Sequence, residues 1–188
     1  MKPFQRLYTN PKPSAHEIGT VEANVRAYLN QVLVGDGARA HCPFVALIES
    51  KNGYWWKDFS TCAAFVDFGL VAEEMLRAFR LIIANRPAEI GQKVETTTVI
   101  AAFSDQSALS PEFHQRLVQA HDLLRPGFIQ HELMVGYMTP HHTLDGPGQR
   151  FVSKIPLLIV RQMHARDAVF MKTEAELAAH RRFFPEKI

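Results

Sequence analysis

Cysteine is scarce in this 188-residue chain: there are two, Cys42 and Cys62, 20 positions apart. Two thiols at that spacing make no disulfide framework, and Cys-x-x-Cys does not occur. Long apolar runs are missing too; none reaches the ~18 residues that a membrane span needs. Charge of one sign does not predominate, since 21 Lys and Arg stand against 19 Asp and Glu, a formal net charge of +2. That balance, spread along the chain, excludes the basic stripe of a nucleic-acid binder or an anionic-membrane binder. There is no dinucleotide or P-loop glycine pattern, no Gly-x-Ser-x-Gly elbow and no His-Glu-x-x-His helix. The opening "MKPFQRLYTNPKPS" has no apolar core of the kind a signal peptide carries. These absences lead us to expect a cytoplasmic protein with reduced thiols, whose partner is a small molecule rather than nucleic acid or membrane.

What is present is an ordinary globular mix, 47% hydrophobic and 21% charged. A chain of this length buries roughly 70% of its unfolded surface and needs no staple. Histidine is the exception to ordinariness, with nine copies. It titrates near neutrality and is the commonest metal ligand, so the excess invites a site.

Patterning yields the elements. Residues 1–16 carry three prolines and read as an extended arm, with residues 17–188 as a single domain. After Thr20, apolar residues at helical spacing predict a helix that "GDG" at 35–37 ends. Pro43 to Glu49 reads as a strand, and Asn52-Gly53 predicts a hairpin returning along Tyr54 to Phe59. Phe68, Val71, Met75, Leu76, Phe79, Ile82 and Ile83 step at three and four, a long amphipathic helix. Thr96 to Phe103 is β-branched and strand-like. Ser110 and Pro111 open a helix through Phe113, Leu117 and Leu124, which Pro126 should kink or end. Leu133 to Met138 and Ile155 to Met163 are further strands, separated by the Gly/Pro-rich stretch 139–150. Thr173 with Glu176 forms a capping box for a last helix that ends before Pro185. The expected fold is α+β: a single-domain sandwich of a mostly antiparallel five-stranded sheet with about four helices.

Candidate chemistry centres on a few residues. Cys42 precedes Pro43, which fixes φ and removes a donor, so its sulfur sits on a stiff stem suited to a soft iron ligand; equally, it could be a small buried hydrophobe. His41 beside it is an alternative ligand or a group that lowers the thiol pKa. His141 and His142 point opposite ways on an extended backbone, so one can ligate or handle protons while the other faces water. His114 and His121, seven apart, do not have metal-ligand spacing and read as surface residues, with Asp122 not oriented to support His121. Arg161 ends the apolar run "IPLLIV" and needs an anion. It either anchors a substrate carboxylate or haem propionate, or forms a structural clasp with Asp167.

Three patches carry a family resemblance: "CPFV" at 42–45, "RPGFIQHELMVGYMTP" at 125–140 and "IPLLIVRQMHARDAVFM" at 155–171. Together they resemble an uncharacterised bacterial and fungal domain family with a Cys-Pro-Phe start, a Gly-Leu-Met-x-Gly-x-Phe-His-Pro-like middle and an Arg-x-Met-x-x-x-Asp end. Thr139 stands where that pattern has histidine, and His141 or His142 is placed to compensate. The resemblance implies an accessory protein of specialised metabolism. Cys42-Pro43-Phe44 is also similar to the Cys-Pro or Pro-Cys motif of YqcI/YcgG-type haem proteins, which oxygenate amine nitrogens of small amino acids.

The function expected from these readings is a small haem-binding oxygenase or related redox enzyme acting on an amino-acid-like metabolite. Cys42, His41 or His141 would hold the haem iron, with Cys42 as the metal ligand; Arg161 and His142 would act on the substrate. Leu133, Met134 and Met138 would wall the pocket. The competing expectation is a homodimeric, cofactor-free binding module.

Overall fold

Thr98–Ala102 is buried at every position, the mark of a strand covered on both faces. It is the middle strand of the sheet. The computed structural model describes residues 3–7, 20–26, 53–59, 65–85, 97–141 and 153–185. Its strands are β1 (Gln5–Leu7), β2 (Tyr54–Asp58), β3 (Thr98–Ala102), β4 (Leu133–Met138) and β5 (Leu157–Gln162). Their spatial order is β1-β2-β3-β5-β4. Three of the four pairings are antiparallel, and β2–β3 is parallel. The protein is α+β with a mixed, mostly antiparallel five-stranded sheet.

The parallel pair follows from helix α1 (Phe68–Ala84), which lies between β2 and β3 in the chain. A parallel return needs a crossover of a dozen or more residues, and a helix supplies it. Asp67 caps α1, its Oδ1 accepting from the amides of Gly69 (2.8 Å) and Leu70 (3.2 Å). The expected hairpin is corrected here. β1 and β3 take the two edges of Tyr54, Trp55 and Trp56, so the residues just before Asn52 do not pair there as a tight hairpin would require. Residues 43–49 themselves lie outside the described residues.

Helix α2 (Pro111–Gln130) is capped by Ser110, whose Oγ accepts from the Phe113 amide at 3.1 Å. It does not end at Pro126 but runs on to Gln130. Pro126 is exposed, and the buried Phe128 and Ile129 hold the last turn against the core. The single donor lost at proline is outweighed by that apolar burial. Helix α3 (Glu174–Phe183) follows a 3-10 turn at Ala165–Phe170. Residues 21–26 are also helical.

Side chains alternate across the sheet. Val99, Ala101, Val135, Leu158 and Val160 share one face, packed against Phe68, Val71, Met75 and Phe79 of α1 and against Phe113, Leu117 and Phe128 of α2. Met134 belongs to a second cluster with Ile129, Met163 and Ala179, where α3 closes on α2. Leu133, Met134 and Met138 are core residues, 3%, 6% and 4% exposed. No helix among the described residues is long and apolar enough to cross a membrane.

Candidate functional site

Arg161 is the fifth residue of β5, directly across from Thr98 on β3 and Met134 on β4. Its guanidinium forks onto Asp167: Nη1 donates to Oδ2 at 2.8 Å and Nη2 to Oδ1 at 2.6 Å. Nη1 also donates to the Gln162 carbonyl at 2.9 Å. Asp167 Oδ2 accepts in addition from the His164 amide at 2.7 Å, which ties the chain just beyond β5 into a tight turn. Of the two arrangements open to Arg161, the clasp is the one found.

A second ion pair lies deeper. Arg125 of α2 and Glu176 of α3 are each 6% exposed, and Arg125 Nε donates to Glu176 Oε1 at 2.9 Å. Arg125 Nη2 donates to the Phe170 carbonyl. Glu176 Oε2 accepts from the Lys172 amide at 2.6 Å, and the Glu176 amide donates to Thr173 Oγ1 at 3.1 Å. Half of the expected capping box is thus present; the other half has turned the glutamate side chain toward Arg125.

At the carboxyl end of β2 the structure opens. A cavity of about 620 Å³ lies between Phe59 and the first three turns of α1. Phe59, Phe65, Val66, Leu70 and Val71 supply its apolar wall. Asp67, Glu73, Glu74 and Arg77 supply its charges. Two of these are engaged: Asp67 caps α1, and Glu74 is bonded to the buried Lys57 of β2, whose Nζ lies 4.7 Å from the Phe59 ring centre. Glu73 and Arg77 take part in no ion pair among the described residues. Below the rim, Asp58 accepts from Ser104 through both its amide (3.3 Å) and its hydroxyl (2.7 Å), linking the ends of the parallel pair. Crevices beyond the carboxyl ends of parallel strands are the usual ligand position in sheets with helical crossovers.

The histidines divide differently from the sequence expectation. His121 is not a surface residue: it is 5% exposed, with Nε2 donating to the Val135 carbonyl at 3.2 Å and Nδ1 3.1 Å from Asp122 Oδ1. Its position was legible. It falls in the stripe Phe113, Leu117, His121, Leu124, Phe128, all on one face at helical spacing. Burial holds its pKa below the ordinary 6.5, even though the hydrogen bonds to Val135 and Asp122 pull the other way. His114 sits beside Thr139, Nδ1 to Oγ1 at 2.7 Å, and its ring centre is 5.9 Å from that of His141. His141 is exposed and hydrogen-bonded through Nε2 to the Leu109 carbonyl at 2.9 Å. Cys42, His41 and His142, the other residues expected at a haem or substrate site, lie outside the described residues, as does Cys62. Among the described residues, no group of three or more His, Cys, Asp or Glu gathers to hold a metal ion.

Fold and cavity define the class: an α+β domain with an open, mainly apolar crevice at the end of a parallel strand pair. The chain belongs to a family described as a domain of unknown function, DUF6875, whose model matches residues 20–188. No curated protein matches the chain, and no solved structure does.

Proposed function

We propose that this domain binds a small amphipathic metabolite carrying both an ammonium and a carboxylate group, in the crevice between Phe59 and α1. The observation that carries the reading is the wall composition. An apolar surface of Phe59, Phe65 and Leu70 is edged by two charges of opposite sign, Glu73 and Arg77, four residues apart on α1. Residues at i and i+4 share a helix face, so a zwitterionic head group meets a carboxylate and a guanidinium together. Arginine grips a carboxylate through two parallel bonds. A volume of about 620 Å³ falls in the ~300–1,000 Å³ range of small-molecule sites. Arg161 is given a structural part in this reading, because its fork lies on Asp167.

The test is a thermal-shift titration with apolar amino acids such as leucine and phenylalanine. A ligand that binds only the folded state at 100 times its Kd stabilises by about 2.7 kcal/mol. We expect a saturable rise in Tm, weakened at least tenfold by Arg77→Glu and by Leu70→Asp. Leu70 is 64% exposed, so that variant folds. A rise that both variants leave unchanged would refute the site. The haem-dependent oxygenase reading rests on Cys42, and the same preparation tests it. A strong absorption band at the blue edge of the visible, lost in Cys42→Ser, makes the bound metabolite a substrate for oxygen chemistry that haem supplies.

A further inference from the structure

His114 and His141 come from different elements and meet where α2 begins and β4 has just ended. His114 is the fourth residue of α2; His141 follows β4 by three residues. Each ring has one nitrogen tied to the protein. His141 Nε2 lies 2.9 Å from the Leu109 carbonyl, which can only accept, so this nitrogen carries the proton and Nδ1 carries the lone pair. His114 Nδ1 lies 2.7 Å from Thr139 Oγ1, a hydroxyl that can donate or accept; in the tautomer in which Nδ1 donates, the lone pair is on Nε2. His114 Nε2 and His141 Nδ1 make no hydrogen bond among the described residues.

We propose that His114 and His141 form a two-histidine site for a divalent transition ion of the zinc type. Ligating histidines characteristically donate their second N–H to a protein acceptor, which fixes ring orientation and tautomer; His141 is held in that manner by the Leu109 carbonyl, and the Thr139 hydroxyl orients the His114 ring. The spacing is near that of a ligating pair. A metal ~2.1 Å from an imidazole nitrogen stands about 3.2 Å from the ring centre, so two ligating rings have centres about 5.2 Å apart at the tetrahedral angle and ~6.4 Å apart when collinear. The centres here are 5.9 Å apart, with the rings inclined at 64°. Imidazole suits zinc, copper and nickel.

The electrical setting agrees. Burial, and secondarily His141, hold the His114 pKa below 6.5, which keeps its ring neutral and able to ligate at pH 7. Tyr137, whose ring centre is 6.3 Å from that of His114, has its pKa raised by burial and so stays protonated. Two protein ligands leave the remaining positions to water, on the exposed side of His141. An ion held there would join α2 to the chain leaving β4.

The experiment is calorimetric titration of the full chain with Zn²⁺ at pH 7.5, paired with the visible absorption of Co²⁺. One equivalent should bind, with affinity reduced at least tenfold in His141→Ala and in His114→Gln. His131→Ala, at an exposed histidine elsewhere, should leave it unchanged. Because the His141 side chain is exposed, His141→Ala tests the site even where His114→Gln disturbs α2. No binding by the wild type, or undiminished Zn²⁺ affinity in His141→Ala, overturns the proposal.

Discussion

Arg161 and Asp167 meet as a two-bond fork at 2.8 and 2.6 Å, with Asp167 only 1% exposed. The buried carboxylate also takes the His164 amide at 2.7 Å. Asp167→Ala would leave a guanidinium and an amide without their acceptor. Removing one partner of a buried pair costs about 3–5 kcal/mol, and we expect the lower end because Arg161 retains 17% side-chain exposure. Arg161→Lys keeps the charge but not the fork, and should cost about 1–3 kcal/mol. Urea denaturation measures both; two losses under 0.5 kcal/mol would show that the clasp does not hold the turn.

Glu176 ties α3 to α2. Glu176→Ala strands the buried Arg125 and frees the Lys172 amide, so it should destabilise by about 3–5 kcal/mol. Glu176→Leu with Arg125→Met, which removes both charges, should recover most of that loss. A double variant no more stable than Glu176→Ala contradicts the desolvation argument.

His121 gives a pH dependence whose sign is determinate. Its folded pKa lies below the ordinary 6.5, so the unfolded chain binds more protons in the interval between the two values. Stability from this group is fully present above pH 6.5 and is lost as pH falls through that interval toward the folded value. Depressed for the same reason, His114 acts in the same direction. Tm measured from pH 7.5 to 5.5 should fall, and fall less in His121→Phe. Equal slopes for wild type and variant would count against it.

Glu132 is a non-glycine residue with φ of +60°, at the junction of α2 and β4. Its amide donates to Ile129 O at 3.0 Å, and its carbonyl accepts from the Met163 amide at 2.9 Å. A left-handed residue closing a helix is most often glycine. Glu132→Gly should stabilise by about 0.5–1 kcal/mol, the strain relieved less the entropy glycine loses. Glu132→Val should do the opposite, and a scanning calorimeter resolves both signs.

Elements with a strong local signature were legible in the sequence. Helix α1 follows from apolar residues repeating every three or four positions, α2 from Ser110-Pro111, and β4 from its apolar run between 133 and 138. Arg161–Asp167 was legible for the same reason: six residues of chain hold the partners near each other whatever the fold. Sequence also decided that Arg161, at the end of an apolar strand, needed an anion.

Only the tertiary structure decided which strands became neighbours. A hairpin signal at Asn52-Gly53 is local, but β2 is flanked by β1, about 50 residues earlier, and by β3, beyond α1. Loop closure costs little more for a long connection than for a short one, so distant strands that bury residues such as Tyr54 and Ile100 can pair. Arg125 and Glu176 are 51 residues apart, and no spacing rule joins them. Helix α2 runs past Pro126 and holds the imidazole of His121 inside because packing buries Leu117, Phe128 and Ile129. The crevice at Phe59 exists because a parallel crossover sets α1 across the end of β2, a relation of direction between strands that residue order alone does not encode.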